Sequence, residues 1–234
     1  MEKKYELIPS DKKSLFRIKA IKSFSVVTVG DLGGYVSGEH NLSHDNDCWI
    51  YHDAIVYDNA TVSNNARVFD SARVSGSARV SGSAAISDFV KVSGNAQVYD
   101  NARVSGSARV FGIAKVYDDA LVYGIAQVYG NAQVSGSARV SGSARVSGSA
   151  QVFGFANIYS GNIQYTTDYM LIGPIGSRDA FTTFFKDEDK IMVSCGCFRG
   201  TIKEFKQKVK ETHQDNKFAK QYLDAANYVK KYLK

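Results

Sequence analysis

Val134-Ser135-Gly136-Ser137-Ala138-Arg139-Val140-Ser141-Gly142-Ser143-Ala144-Arg145-Val146 is one six-residue unit written twice. Followed outward in both directions, the unit accounts for almost half the chain: every sixth residue from Ile50 to Ile158 is Val or Ile, nineteen positions without an insertion. Two residues before each aliphatic stands Ala, from Ala54 to Ala156, with Cys48 and Val90 as the exceptions. A triplet such as Ala72-Arg73-Val74 therefore alternates in, out, in, as a short strand does. The other three residues make a corner. Its middle position is Gly, Asp or Asn almost throughout, as at Gly76, Asp100 and Gly136, residue types that accept a positive φ. Strands this short leave no room for a hairpin reversal at every corner, so the chain is expected to coil as a parallel solenoid.

The pattern Val-Ser-Gly-Ser-Ala-Arg resembles the hexapeptide repeat of left-handed parallel β-helices. The resemblance implies the handedness and three hexads per triangular coil, hence about six coils rising roughly 4.8 Å each. An 18-residue coil sorts the outward positions into three faces. The most basic one carries Ile55, Arg73, Lys91, Arg109, Gln127 and Arg145. Two readings of this stripe stand side by side: a solvated face whose long side chains cover the backbone, and a surface for an anionic ligand or a partner. The residue after the aliphatic is aromatic at ten corners and places Tyr99 over Tyr117 and Phe111 over Tyr129. Such edges suit either stacking along one chain or contact between protomers, and related prisms assemble as homo-oligomers, with a trimer favoured here.

The flanks differ from the repeat. Residues 1–47 read as an N-terminal β cap and opening coil, with strands at Tyr5–Ile8 and Leu15–Ile21, because a solenoid leaves an apolar end that must be covered. The register slips by two residues between Leu42 and Ile50. Residues 48–161 are the β-helix. Residues 162–234 read as a C-terminal α+β domain of three strands, at 169–173, 181–185 and 191–195, and two helices. The first helix opens at Gly200-Thr201 with Glu204 completing a capping box, and the second follows Asp215-Asn216. The expected fold is thus mainly β: a left-handed β-helix between an N-terminal cap and an α+β domain. The opening motif Gly30-Asp31-Leu32-Gly33-Gly34-Tyr35-Val36 with Asn41-Leu42-Ser43, the hexads, and Ile172-Gly173-Pro174-Ile175-Gly176-Ser177-Arg178 with Cys195-Gly196-Cys197-Phe198 resemble phage- and prophage-encoded proteins of this layout.

Composition narrows the function classes. The chain is 44% hydrophobic and 22% charged, with 20 Gly against 2 Pro. No apolar run reaches the roughly 18 residues of a membrane span, and the first residues lack the apolar core of a signal peptide, so the expected location is the cytoplasm. Three cysteines are too few for a disulfide framework in a chain of 234 residues. The net charge of +6 is modest and concentrated in the last third, where 13 basic residues face 9 acidic ones. Without an arginine-rich arm or a base-reading motif it argues against nucleic acid as the partner.

Hexapeptide-repeat resemblance also implies acyl transfer from acyl-coenzyme A, in which a histidine acts as general base. Here the hexads hold no histidine after His52 and no extruded loop, and the candidates reduce to His44 and His52. Cys195, Cys197 and His213 offer soft ligands, but the Cys-x-Cys spacing departs from the usual zinc pattern, so no metal or cofactor is expected and both cysteines read as packed on one strand face beneath the first helix. A ligand site is expected instead at Ser177, Arg178, Arg199, Gly200 and Thr201, where glycine-rich backbone, two arginines and a helix N-terminus suit phosphate or carboxylate. The leading expectation is a non-catalytic phage-type binding protein. The solenoid is its platform and the C-terminal domain its recognition module for a host protein or a small phosphorylated, nucleotide-type ligand, including a host-defence signal.

Overall fold

The computed structural model describes residues 2–233; Met1 and Lys234, the outermost positions of the two end segments, lie outside the described residues. The hexad strands pair in parallel with the strands 18 residues on, Val74 with Val92 and Val92 with Val110, and form three sheets around a triangular column. Every aliphatic of the repeat is at most 1% exposed and every inward alanine 0%. One wall is a ten-stranded sheet that starts with the antiparallel strands Tyr5–Pro9, Phe16–Ala20 and Leu32–Val36, the last of which passes into the parallel ladder by pairing Val36 with Val56.

The column is longer at both ends than nineteen hexads give. At the front, Val36 and Leu42 are already coil residues, since Leu42 bridges Val62. Six residues separate them, and the two extra residues before Ile50 hide the match. At the back, Asn162–Ile163 pairs with Arg145–Val146. Its spacing from Ile158 is five residues, so the repeat looks finished at 158 and the boundary drawn at 161 cuts off a strand of the column. About seven turns result.

The C-terminal segment folds as a four-stranded antiparallel meander, Tyr169–Ile175, Ala180–Asp187, Lys190–Cys195 and Phe198–Thr201, followed by α1 (Ile202–His213) and α2 (Lys217–Tyr232). The count of three strands is therefore corrected to four. A two-residue turn, Gly196-Cys197 with Gly196 at φ 60°, folds the chain back so that Cys195 pairs with Phe198. Thr201 ends this strand and caps α1, its hydroxyl accepting from Glu204 N–H at 3.3 Å.

This sheet has two faces with two tasks. Phe184 and Val193 point toward Phe205, Val209, Tyr222, Ala226 and Val229 of the helices. Tyr169 and Phe185 point the other way and join the solenoid core, Phe185 meeting Tyr159 edge-on at 5.1 Å. The α+β unit thus closes the column. It also satisfies the backbone there, because the N–H groups at the outward strand positions and the corners of each coil donate to the coil that follows and the last coil has no successor. Thr166, Tyr169 and Thr183 hydroxyls accept from Gln151, Phe153 and Asn157 N–H at 3.0, 3.3 and 2.9 Å.

The front end needs the reverse chemistry, donors for orphan carbonyls. Lys4, 3% exposed, donates Nζ to the carbonyls of Asn46 and Cys48 at 2.9 Å each, and Tyr5 donates its hydroxyl to Leu42 O at 2.7 Å. Among the described residues no helix is long and apolar enough to cross a membrane.

Candidate functional site

The meander brings two distant turns together over the helices. Gly176-Ser177-Arg178-Asp179 follows the first strand of the C-terminal sheet, and Gly196-Cys197 joins the last two. Between them and α1 lies an open cavity of about 460 Å³, lined by Ser177, Arg178, Cys195, Cys197, Phe198 and Phe205 and closed by Lys208, Val209, Thr212, His213 and Tyr222. Phe205, Val209 and Tyr222 are buried and form an apolar floor, while Arg178 and Lys208 are exposed cations. Gly176 sits at φ 75° with its α-carbon against the Tyr222 ring, where a side chain has no room. Its glycine serves that close approach, which holds the turn on α2, together with the Gly176 N–H donated to Gln221 Oε1 at 2.9 Å.

Arg178 donates Nη2 to Cys197 Sγ at 3.5 Å. This hydrogen bond and the guanidinium charge lower the Cys197 thiol below its ordinary value. Burial pushes Tyr222 up, with the neighbouring Cys195 adding to the shift. The two cysteines do not share a strand face beneath the helix: Cys195 ends a strand half-buried, and Cys197 lies exposed in the turn. Cys195, Cys197 and His213 line one cavity, yet no group of three or more His, Cys, Asp or Glu among the described residues is arranged to hold a metal ion.

The five residues expected as one site divide into two places. Ser177 and Arg178 line the cavity. Arg199 faces away from it, its guanidinium 5.2 Å from the centre of the Tyr159 ring on the solenoid. Gly200 is in a strand, paired with Val193. Thr201 N–H and its hydroxyl both reach Glu204 Oε2, at 2.7 and 2.8 Å, so the capping carboxylate already occupies the helix N-terminus that was expected to receive an anion. Phe198, Lys208 and Tyr222 were absent from the expected set. The stripe Phe205-Val209 signals the floor in sequence, but nothing signals that the two turns meet above it.

His44 stacks on Tyr5 at 4.2 Å and pairs Nε2 with Glu39 at 2.9 Å inside the N-terminal cap. His52 stands on an exposed corner, Nδ1 3.3 Å from Asp70. Arg73, Lys91, Arg109 and Arg145 are exposed on one wall, Arg73 beside Lys91 and Lys91 beside Arg109 in register. Along the edges, Tyr99 and Tyr117 stack at 5.0 Å, and Phe111 and Tyr129 at 4.9 Å, within the chain.

Three stretches, residues 54–70, 96–112 and 126–142, match a family model described as the YdcK beta solenoid repeat. All three fall inside the column. The chain is a repeat-built β-solenoid protein. No curated protein matches it in sequence.

Proposed function

We propose that this β-solenoid is a non-catalytic binding protein of the phage type, in which the column is a rigid platform and the C-terminal cavity recognises a small phosphorylated ligand of the nucleotide kind. The observation that carries this reading is the pairing of an apolar, partly aromatic cavity with exposed cations at one mouth: the half-buried Phe198 over the buried Phe205 and Tyr222 suits a flat ring, and Arg178 and Lys208 suit an anion. The cavity volume lies in the ordinary range for small-molecule sites, on the order of 300–1,000 Å³. Sequestration needs no general base, and it agrees with a fold whose two candidate histidines are engaged in the cap and at a corner.

Isothermal titration of the full chain with a panel of nucleotides tests the reading. Binding is expected, and Arg178→Ala should weaken it by about 1.5–3 kcal/mol, the size of a charge-assisted hydrogen bond, whereas Arg199→Ala leaves it unchanged. Heat of binding that is identical in an Arg178→Ala, Lys208→Ala double variant overturns the assignment of the cavity. Binding of acetyl-coenzyme A with turnover would favour the competing acyl-transfer reading.

A further inference from the structure

The three thiols stand in three environments. Cys48 is fully buried and takes a hydrogen bond from Lys4 Nζ at 3.4 Å. Cys195 is half-buried and takes one from the Thr182 hydroxyl at 3.2 Å. Cys197 alone is exposed; it lines the mouth of the cavity with Arg178, Lys208 and Phe198. We propose that the cavity is an exchange site for small acidic disulfides of the glutathione type, with Cys197 as the attacking sulfur. The cavity supplies what such a reagent needs: cations at the mouth for its carboxylates, an apolar wall for its body, and a sulfur at the rim.

In the exchange step the Cys197 thiolate attacks one sulfur of the disulfide. A new sulfur–sulfur bond forms at Cys197, the old one breaks, and the departing thiolate leaves with the electron pair. Arg178, which donates to Cys197 Sγ, favours the attacking thiolate. The adduct fills the mouth of the cavity and ties up the guanidinium. This inference rests on the cavity being the ligand site only for its consequence, exclusion of the anionic ligand; the thiol chemistry is measured with no ligand present.

The test uses the full chain and two aromatic disulfides, dithionitrobenzoate, which carries carboxylates, and the neutral dithiodipyridine, each rate divided by that of free cysteine. One fast equivalent of released thiolate is expected from the anionic reagent, absent in Cys197→Ser. Its relative rate should exceed that of the neutral reagent by roughly tenfold, the scale of local electrostatic steering, and Arg178→Gln should abolish the preference. A fast phase that survives Cys197→Ser overturns the proposal, as does equal relative reactivity of the two reagents. If exchange proceeds as stated while the nucleotide titration shows no heat, the thiol site stands and the ligand reading falls.

Discussion

The corner residue of each hexad shows how a single side chain is selected. Gly112 sits at φ 74°, and a Cβ there would lie 2.9 Å from the amide nitrogen of Gly130 in the next coil. Where the same kind of corner holds Asp, the carboxylate turns that contact into a bond. Asp58 accepts from Gly76 N–H at 3.0 Å, Asp88 from Gly106 N–H at 2.7 Å, and Asp118 from Gly136 N–H at 2.9 Å. Gly and Asp are thus two answers to one problem, no side chain or one that recovers the strain by hydrogen bonding. Gly112→Ala, which adds the strain without the bond, should cost on the order of 1–2 kcal/mol in urea unfolding, and Gly112→Asp should cost less. An Asp variant no more stable than the Ala variant would refute this.

At the level of elements, the segment joining column to sheet depends on Asp168. Its carboxylate is 11% exposed; it accepts Gln164 and Tyr165 N–H at 2.9 Å each and pairs with Lys186 Nζ at 3.0 Å. Burial raises its pKa, but the bonds from Tyr165, Lys186 and Gln164 outweigh burial and leave it below the ordinary 3.8. A carboxyl with a lowered folded value contributes stability that is complete above 3.8 and is lost as pH falls below it through the folded value. Asp168→Asn should flatten that acid limb in unfolding curves recorded from neutral pH downward; an unchanged acid limb would exclude the role. Periodicity made the column legible from the residues alone, since each Val or Ala reports its own position. Leu42 and Ile163 escaped because one insertion and one deletion shift their phase, and Phe198–Thr201 escaped because Arg-Gly-Thr reads equally as a helix start. The cavity was half legible for a different reason: Arg178 is visible as a cation beside glycine, but its partner Cys197 is brought to it by meander register, which leaves no local pattern.

For the whole molecule, the two ends are closed by opposite chemistry, donors from Lys4 and Tyr5 in front and hydroxyl acceptors from Thr166, Tyr169 and Thr183 behind. Removal of residues 165–234 should therefore leave the back of the column open while Lys4 and Tyr5 still seal the front, seen as concentration-dependent association in light scattering. A truncated chain that stays the size of the full one in light scattering would contradict this. The seals have a further consequence. The bonds that Lys4 and Tyr5 make to the column go to its first coil and those of Thr166, Tyr169 and Thr183 to its last, so neither end senses how many coils lie between. The backbone bonds of one coil recur eighteen residues on, Ile55 N–H to Ala72 O and then Arg73 N–H to Val90 O. Excising or duplicating one such unit in phase changes the reach of the molecule by about 4.8 Å and leaves both terminations intact. The protein is built as a ruler whose length inheritance can adjust by whole graduations.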